Sequence, residues 1–475
     1  NVTVTGTPQL TLNINGSGHT IDYTSGSGSN TLVFNYQVLD GHNETNLDYQ
    51  NTTALTLNGG TIKDTAPNTN IAILTLPSPG ATNSLGANKD IIIDTTHPNV
   101  TNVTSTKADG SYKAGVLIPI QIVFSEDVIV TGTPQLLLDL GGVDYAVDYD
   151  SGTGTDTLLF NYTIQSGHND TDLDYKATNS LSLNGGTIKD AAGNDAALTL
   201  ATPGTTNSLG SNKALVIDTT APTVTNVTST TVDGSYKFGS TIPIQVVFSE
   251  DVNVTGTPQL TLNLNGSDVV VDYTTGSGSD ILIFNYAIQV GHNDDDLDYK
   301  ATDSLALNGG TITDIALNDA VLTLATPGAA NSLGANKALV VDTTSPTVST
   351  FALSDSTLLN GETATVSLVF SEKVTGFNSN DDITVENGSL SLMTTSDDGT
   401  TWTGTFTPTT DIEDTTNIFT LATTFTDVAG NPISTQTVTN NYVVDTLKPT
   451  ITAVTSSTTD DSYKEGETIV IQVLF

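Results

Sequence analysis

The 475-residue sequence contains no cysteine and no arginine, and only one methionine and one tryptophan. Without cysteine, neither a disulfide framework nor a thiolate metal site can form. A chain this long that avoids thiols fits a secreted surface protein. No apolar run reaches the roughly 18 residues of a helical membrane span, so no membrane insertion is expected in this segment. No signal peptide opens the sequence, which starts at Asn1 and reads as a mature product or an excerpt of something longer. Basic charge is scarce as well: 13 Lys face 52 acidic residues, for a net charge of −39. Such a surface repels nucleic acid and anionic membranes and leaves cations as its natural counterpart. The acidity is spread along the chain, which argues against a disordered acidic tail.

Internal repetition is what the sequence has in abundance. The phrases "DGSYK", "IPIQ", "VFSED", "VTGTPQL", "FNY", "GHN", "LDY", "LNGGTI" and "DTT" recur in a fixed order, and Phe124 and Phe248 close matching runs 124 residues apart. Units end on Asp-Thr-x-x-Pro linkers: Asp94 to Pro98, Asp218 to Pro222, Asp342 to Pro346 and Asp445 to Pro449. Proline fixes φ and extends its neighbour, so these linkers should be short and stiff. Aligning the repeats gives an opening module that lacks its first two strands (1–95), modules 98–219 and 222–343, a shorter variant module 346–446, and the first two strands of a further module (449–475).

Within a unit the period is two. In "TIPIQVVF" Ile242, Ile244, Val246 and Phe248 share one face, and Ala364, Val366, Leu368 and Phe370 repeat the pattern. Strict alternation means strands with one face in a core. Pro119 and Pro243 point to an edge or the start of a strand. Turn signals such as "SGSGS" and "LNGG" separate the runs and no amphipathic helix shows, so the class is all-β and the spacing that of a sandwich. Trp402 reads as a core or strand-face aromatic.

The combination "FSE", Asp-x-Ala-Gly-Asn and Val-Asp-Thr-x-x-Pro-Thr resembles the bacterial immunoglobulin-like tandem repeats of very large cell-surface proteins and adhesins. The resemblance runs along the whole sequence. It implies tandem immunoglobulin-like β-sandwich domains in an elongated array. It also implies an extracellular stalk, often stiffened by Ca²⁺ at module junctions, with the adhesive target bound elsewhere.

The acidic pair in "VFSEDVNVTGTPQL" (247–260) acquires a use when the strands are threaded up and down a sandwich. The strand that ends at Phe248 returns Glu250 and Asp251 beside the linker Asp218, and the loop carrying Asp314 reaches the same pole. The same reasoning gathers Asp94 with Glu126, Asp127 and Asp190, and Asp342 with Glu372 and Asp427. Asp445 is the next linker aspartate, and Asp109 and Asp233 in the "DGSY" loops are placed at the far poles. Ca²⁺ takes 6–8 hard oxygen ligands in tolerant geometry, and crowded carboxylates repel without a cation. The same residues also read as turn formers and solvated loops. No run matches an EF-hand, and the aspartates of "LDY" (Asp48, Asp174, Asp298) read as turn caps.

His42, His168 and His292 hold one equivalent position and read as hydrogen-bonding turn residues. No Gly-x-Ser-x-Gly elbow or phosphate loop occurs, and near-identical units offer no single concave pocket, so a non-enzymatic protein is expected. The sequence therefore reads as an extracellular stalk or spacer with Ca²⁺ at its junctions, its partners being neighbouring modules or copies of itself. The alternative is the subunit of a self-assembling extracellular filament or sheath, in which 449–475 completes module 1–95 of the next copy.

Overall fold

The computed structural model describes residues 1–65 and 70–475. It is all-β apart from one-turn helices such as Leu85–Asn88, Leu209–Asn212, Leu333–Asn336 and Ser379–Asp382. The chain divides into two compact units, Asn1–Thr220 with Ala316–Asn318, and Ala221–Ile315 with Asp319–Phe475. Each apolar core is local in sequence: one lies within residues 12–93, one within 103–217, one within 227–341 and one within 351–444.

In the first unit, the sandwich of residues 98–219 is organised by one long strand, Leu117–Thr131. Its alternation buries Ile118, Ile120, Ile122, Phe124 and Val128 almost completely. The first part of the strand lies between Val100–Ser105 and Thr155–Thr163, antiparallel to both, with Ile120 opposite Ser105 and Phe160. Pro119 stands just past the end of the Val100–Ser105 pairing, near the strand's start, where its missing N–H leaves no ladder bond open. After Val123 the register shifts. Ile129–Thr131 then pair instead with Thr187–Lys189. The sequence reading ended the strand at Phe124; the structure carries it through Ser125–Asp127, which sit where the strand exchanges partners.

Residues 1–95 form the same sandwich with fewer strands. Val2–Thr5 pairs with Thr61–Asp64, as the end of the long strand does in the next module. A hairpin, Gln9–Ile14 with Ser17–Ser25, follows, but the next strand is only Val33–Phe34.

In the second unit, Thr241–Thr255 repeats the long strand, with its register shift between Val247 and Val252. In residues 346–446 the run breaks into Ala364–Phe370 and Val374–Thr375, the latter paired with Thr426–Asp427. That core is aromatic. Phe370, Phe377 and Phe425 meet edge to face, and Trp402 is half-buried, packed edge-on against Phe377 with its Nε1 donating to the Gly399 carbonyl. Residues Ala453–Ser456 and Ile471–Leu474 form a separate exposed hairpin.

The one-turn helices escaped the sequence reading because a single turn shows no 3.6-residue period. Each of the three "NSLG" turns is capped by a serine, Ser84, Ser208 or Ser332, whose Oγ accepts from the backbone N–H three residues on. Asn212 ties its turn to the first strand by donating to the Val103 carbonyl at 2.7 Å.

The "LNGG" turn shows what glycine is needed for. Asn184 and Gly185 have φ of 46° and 81°, and a Cβ on Gly186 would lie 2.2 Å from the Thr131 carbonyl oxygen. Backbone cannot move aside cheaply there. Gly186→Ala should destabilise module 98–219 by about 2 kcal/mol or more, read as lost amide-exchange protection confined to that module. Unchanged protection would contradict the close approach.

Candidate metal centres at the module junctions

In the first unit the linker after residues 1–95 is held on both sides. Thr95 N–H donates to Asn43 Oδ1 at 2.8 Å, and Ser125 N–H donates to the Asn99 carbonyl at 2.9 Å. Asn99 N–H returns a bond to Ser125 Oγ at 3.1 Å. This docking places Asp94 beside the partner exchange of the long strand and the loop after Thr187–Lys189. One carboxylate oxygen each of Asp94, Glu126 and Asp190 lie within 4.8 Å of one another.

Each carboxylate is held differently. Asp94 Oδ1 accepts from Thr96 N–H at 2.9 Å. Asp190 is buried; its Oδ1 accepts from Gly193 and Asn194 N–H at 2.7 and 2.8 Å, and its Oδ2 from the Asn194 amide at 2.6 Å. The same Asn194 amide donates to the Asp94 carbonyl at 3.0 Å, so one side chain joins the loop to the linker. Glu126 keeps the strand's alternation and is half-buried on the side of Phe124 and Val128, whereas Ser125 and Asp127 are exposed.

The second unit builds the same arrangement from a differently worded module. Asp342, Glu372 and Asp427 present oxygens within 4.8 Å of one another. Asp342 Oδ1 accepts from Thr344 N–H at 2.9 Å, and Asp427 Oδ1 from Gly430 and Asn431 N–H at 2.7 and 2.8 Å. The Asn431 amide bridges Asp427 Oδ2 and the Asp342 carbonyl at 2.8 and 2.9 Å. Lys237 adds a bond to the Gly430 carbonyl at 2.7 Å, fastening the "DGSYK" loop to this junction.

Burial, with Asp342 and Asp427 close by, pushes Glu372 up to about 7. Glu126 is raised for the same reasons, burial first and then Asp94, Asp190 and Asp127. Among the described residues, none of these six carboxylates forms an ion pair with a lysine.

Five of the remaining candidates, Asp109, Asp127, Asp233, Asp251 and Asp445, fall elsewhere. Asp127, Asp251 and Asp445 are exposed and belong to neither group. Asp109 pairs with Lys213 and Asp233 with Lys337, each at 3.1 Å, which removes them from the acidic set. Glu250 and the buried Asp314 occupy the matching strand and loop positions of residues 222–343, and Asp218 Oδ1 accepts from Thr220 N–H at 2.9 Å. The "LDY" aspartates cap turns: Asp174 accepts from Tyr175 and Gly204 N–H, and Asp298 from Tyr299 and Gly328 N–H, at 2.8–2.9 Å. His168 and His292 take hydrogen bonds with Tyr162 and Tyr286 through Nδ1 at 2.8 and 2.9 Å. The sequence reading missed the roles of Asn194, Asn431 and Lys237. The recurring Gly-Asn four residues after the aspartate was the available signal for the first two.

Residues 342–444 match the family model of a bacterial Ig-like domain. The matched stretch contains the whole Asp342, Glu372 and Asp427 group. No curated protein matches the chain. Solved structures similar to it include FdeC, titled a novel broadly conserved Escherichia coli adhesin eliciting protection against urinary tract infections. It is 13% identical with a TM-score of 0.30, over 74% of this chain and 98% of that one. An I-band fragment of titin is 6% identical with a TM-score of 0.26, over 74% and 99%. Domains 4–9 of the surface layer protein SbsC are 9% identical with a TM-score of 0.16, over 76% and 49%.

The pH response of the Ig-like module 346–446 follows from Glu372. Its folded form holds a proton that the unfolded chain releases near pH 4.5. Between that pH and about 7 the native state binds more protons, so metal-free stability falls as pH rises. Calorimetry in EDTA should show this loss, and Glu372→Gln should flatten it. A wild-type profile superimposable on that of Glu372→Gln would contradict the assignment.

Proposed function

We propose that the chain is a structural repeat segment of a bacterial extracellular surface protein, a stalk or spacer whose module junctions are clamped by Ca²⁺. The carrying observation is the grouping of three carboxylates from a linker, a strand and a loop in each unit, drawn from two successive modules. The donor chemistry fits a hard cation. All three ligands are carboxylate oxygens, no histidine or cysteine is among them, and Ca²⁺ accepts 6–8 oxygens in irregular geometry while Mg²⁺ demands a near-ideal octahedron. Asp94, Glu126 and Asp190 would hold one ion, and Asp342, Glu372 and Asp427 another, with water completing the shell. The ion supplies the positive charge that turns mutual repulsion into attraction. The residues do the rest: the Asp-x-x-Gly-Asn loop fixes one carboxylate, the linker carries the second, and the strand glutamate closes the group. Bending at the linker would then separate ligands from their ion.

Ca²⁺ should bind the full chain with at least two ions by titration calorimetry. At 100 times its dissociation constant it should stabilise the junction modules by about 2.7 kcal/mol per ion bound. The double variant Glu126→Gln with Glu372→Gln should lose most of that gain. Small-angle scattering should report a stiffer molecule with Ca²⁺ than with EDTA. Dimensions and stability that ignore both additions would sink the calcium clamp.

A further inference from the structure

The tripeptide Gly-His-Asn recurs three times, and each copy grips the threonine that follows a linker aspartate. In residues 222–343, Gly291 N–H donates to Thr343 Oγ1 at 3.0 Å, and Thr343 N–H donates to Asn293 Oδ1 at 2.7 Å. In residues 98–219, Gly167 and Asn169 hold Thr219 in the same way, at 3.0 and 2.8 Å. Gly41 and Asn43 hold Thr95 at those same two distances. The loop also bonds the residue before the aspartate. Asp294 N–H donates to the Val341 carbonyl and Val341 N–H to the Asp294 carbonyl, at 2.7 and 2.8 Å. Asp342, a member of the acidic group, thus stands between two gripped residues.

The histidine of the loop is seated in the module instead. Nδ1 of His168 and of His292 meets the hydroxyl of a buried tyrosine, Tyr162 or Tyr286, and the rings lie within 18° of parallel. Nδ1 of His292 also accepts from Gln289 N–H at 3.3 Å. A backbone N–H can only donate, so this nitrogen is unprotonated and the ring proton sits on Nε2. A second proton would have to enter at Nδ1, where a donor already points. Burial pushes both imidazoles below the usual histidine range.

The acidic groups nearby do not offset this. Asp294 accepts from Asp296 and Asn265 N–H, and Asp170 from Asp172 and Gly141 N–H, one bond to each oxygen. Asp272, which lines one groove with Tyr273 and His292, accepts from the Gln259 amide. Tyr145 packs edge-on against His168. Among the described residues no carboxylate forms an ion pair with either imidazole.

We infer that the Gly-His-Asn loops of His168 and His292 are acid-releasable clasps on the linkers. The neutral histidine, seated on its tyrosine, sets glycine and asparagine to hold the linker threonine; protonation unseats the loop and frees the threonine with its neighbouring aspartate. His292 is therefore a positioning residue for Asp342 and not a ligand. The variant module has the grip without the histidine. There Ile412 N–H donates to Thr446 Oγ1 at 3.0 Å and Thr446 N–H to the Ile412 carbonyl at 2.8 Å, and residues 346–446 contain no histidine. The direction in pH follows from linkage. An unfolded chain takes up the proton near pH 6.5 and the folded loop resists it, so the clasp is intact above that pH and weakens as pH falls. The sign is opposite to that of Glu372, which separates the two effects.

The clasp does not rest on the calcium reading, and EDTA keeps the two apart. Hydrogen exchange of the full chain in EDTA, corrected for intrinsic rates, should be compared at about pH 7.5 and about pH 5. Residues 289–294 and 341–344, and likewise 165–170 and 217–220, should lose protection on acidification, by up to about tenfold per pH unit. Residues 411–413 and 445–447 should lose none. His292→Asn, whose Oδ1 can replace Nδ1 as acceptor, should abolish the response at 289–294 and 341–344 and leave that at 165–170. Wild-type protection that ignores pH would overturn the clasp. So would an acid response that persists in His292→Asn, or an equal response at 445–447.

Discussion

One strand that serves two sheets is the constraint from which the junctions follow. Leu117–Thr131 and Thr241–Thr255 each begin against one partner and finish against another. A strand cannot change partners without freeing backbone groups, and freed buried groups must find replacements. Here the replacement is the linker. Ser125, Ser249 and Ser371 N–H donate to the carbonyls of Asn99, Thr223 and Thr347, at 2.8–2.9 Å in all three modules. The entering chain is thereby docked at the point of exchange, and the glutamate that follows each serine is carried with it. Carboxylates gather at the junction as a consequence of how the sheet turns its corner.

The three carboxylates in a group then divide the work. The loop aspartates, Asp190 and Asp427, are buried, and each accepts three hydrogen bonds from its own Gly-Asn turn. Glu126 and Glu372 sit between an apolar strand face and the neighbouring acids, and they are the groups whose proton affinity rises.

Most of the fold was legible because its information is periodic. Alternation located the buried faces of the strands, and the order of recurring phrases located the linkers. The exchange of partners was less legible, since the charges of Ser-Glu-Asp hide an alternation that continues from Phe124 through Glu126 to Val128. The pairing of Asp109 and Asp233 with lysines was hidden for another reason. Their partners Lys213 and Lys337 lie 104 residues downstream, and only the parallel pairing of Gly110–Tyr112 with Leu215–Ile217, and of its repeat, brings each pair together. Ion pairs made by tertiary folding leave no local trace. The loop asparagines Asn194 and Asn431 were visible as letters but their geometry was not, because an amide that bridges its own turn and another segment's carbonyl looks like any turn asparagine.

The partner exchange also explains how part of a module can keep its shape. The two halves of the long strand belong to different sheets, so separating them at the Phe-Ser boundary leaves each half its own ladder. Val2–Thr5 is paired along its whole length with Thr61–Asp64. The hairpin 453–474 likewise retains the pairing of the first two strands. What neither half can keep is the apolar layer between the sheets, because that layer needs side chains from both. The backbone pattern of the repeat is thus divisible at the serine, while its hydrophobic core is not.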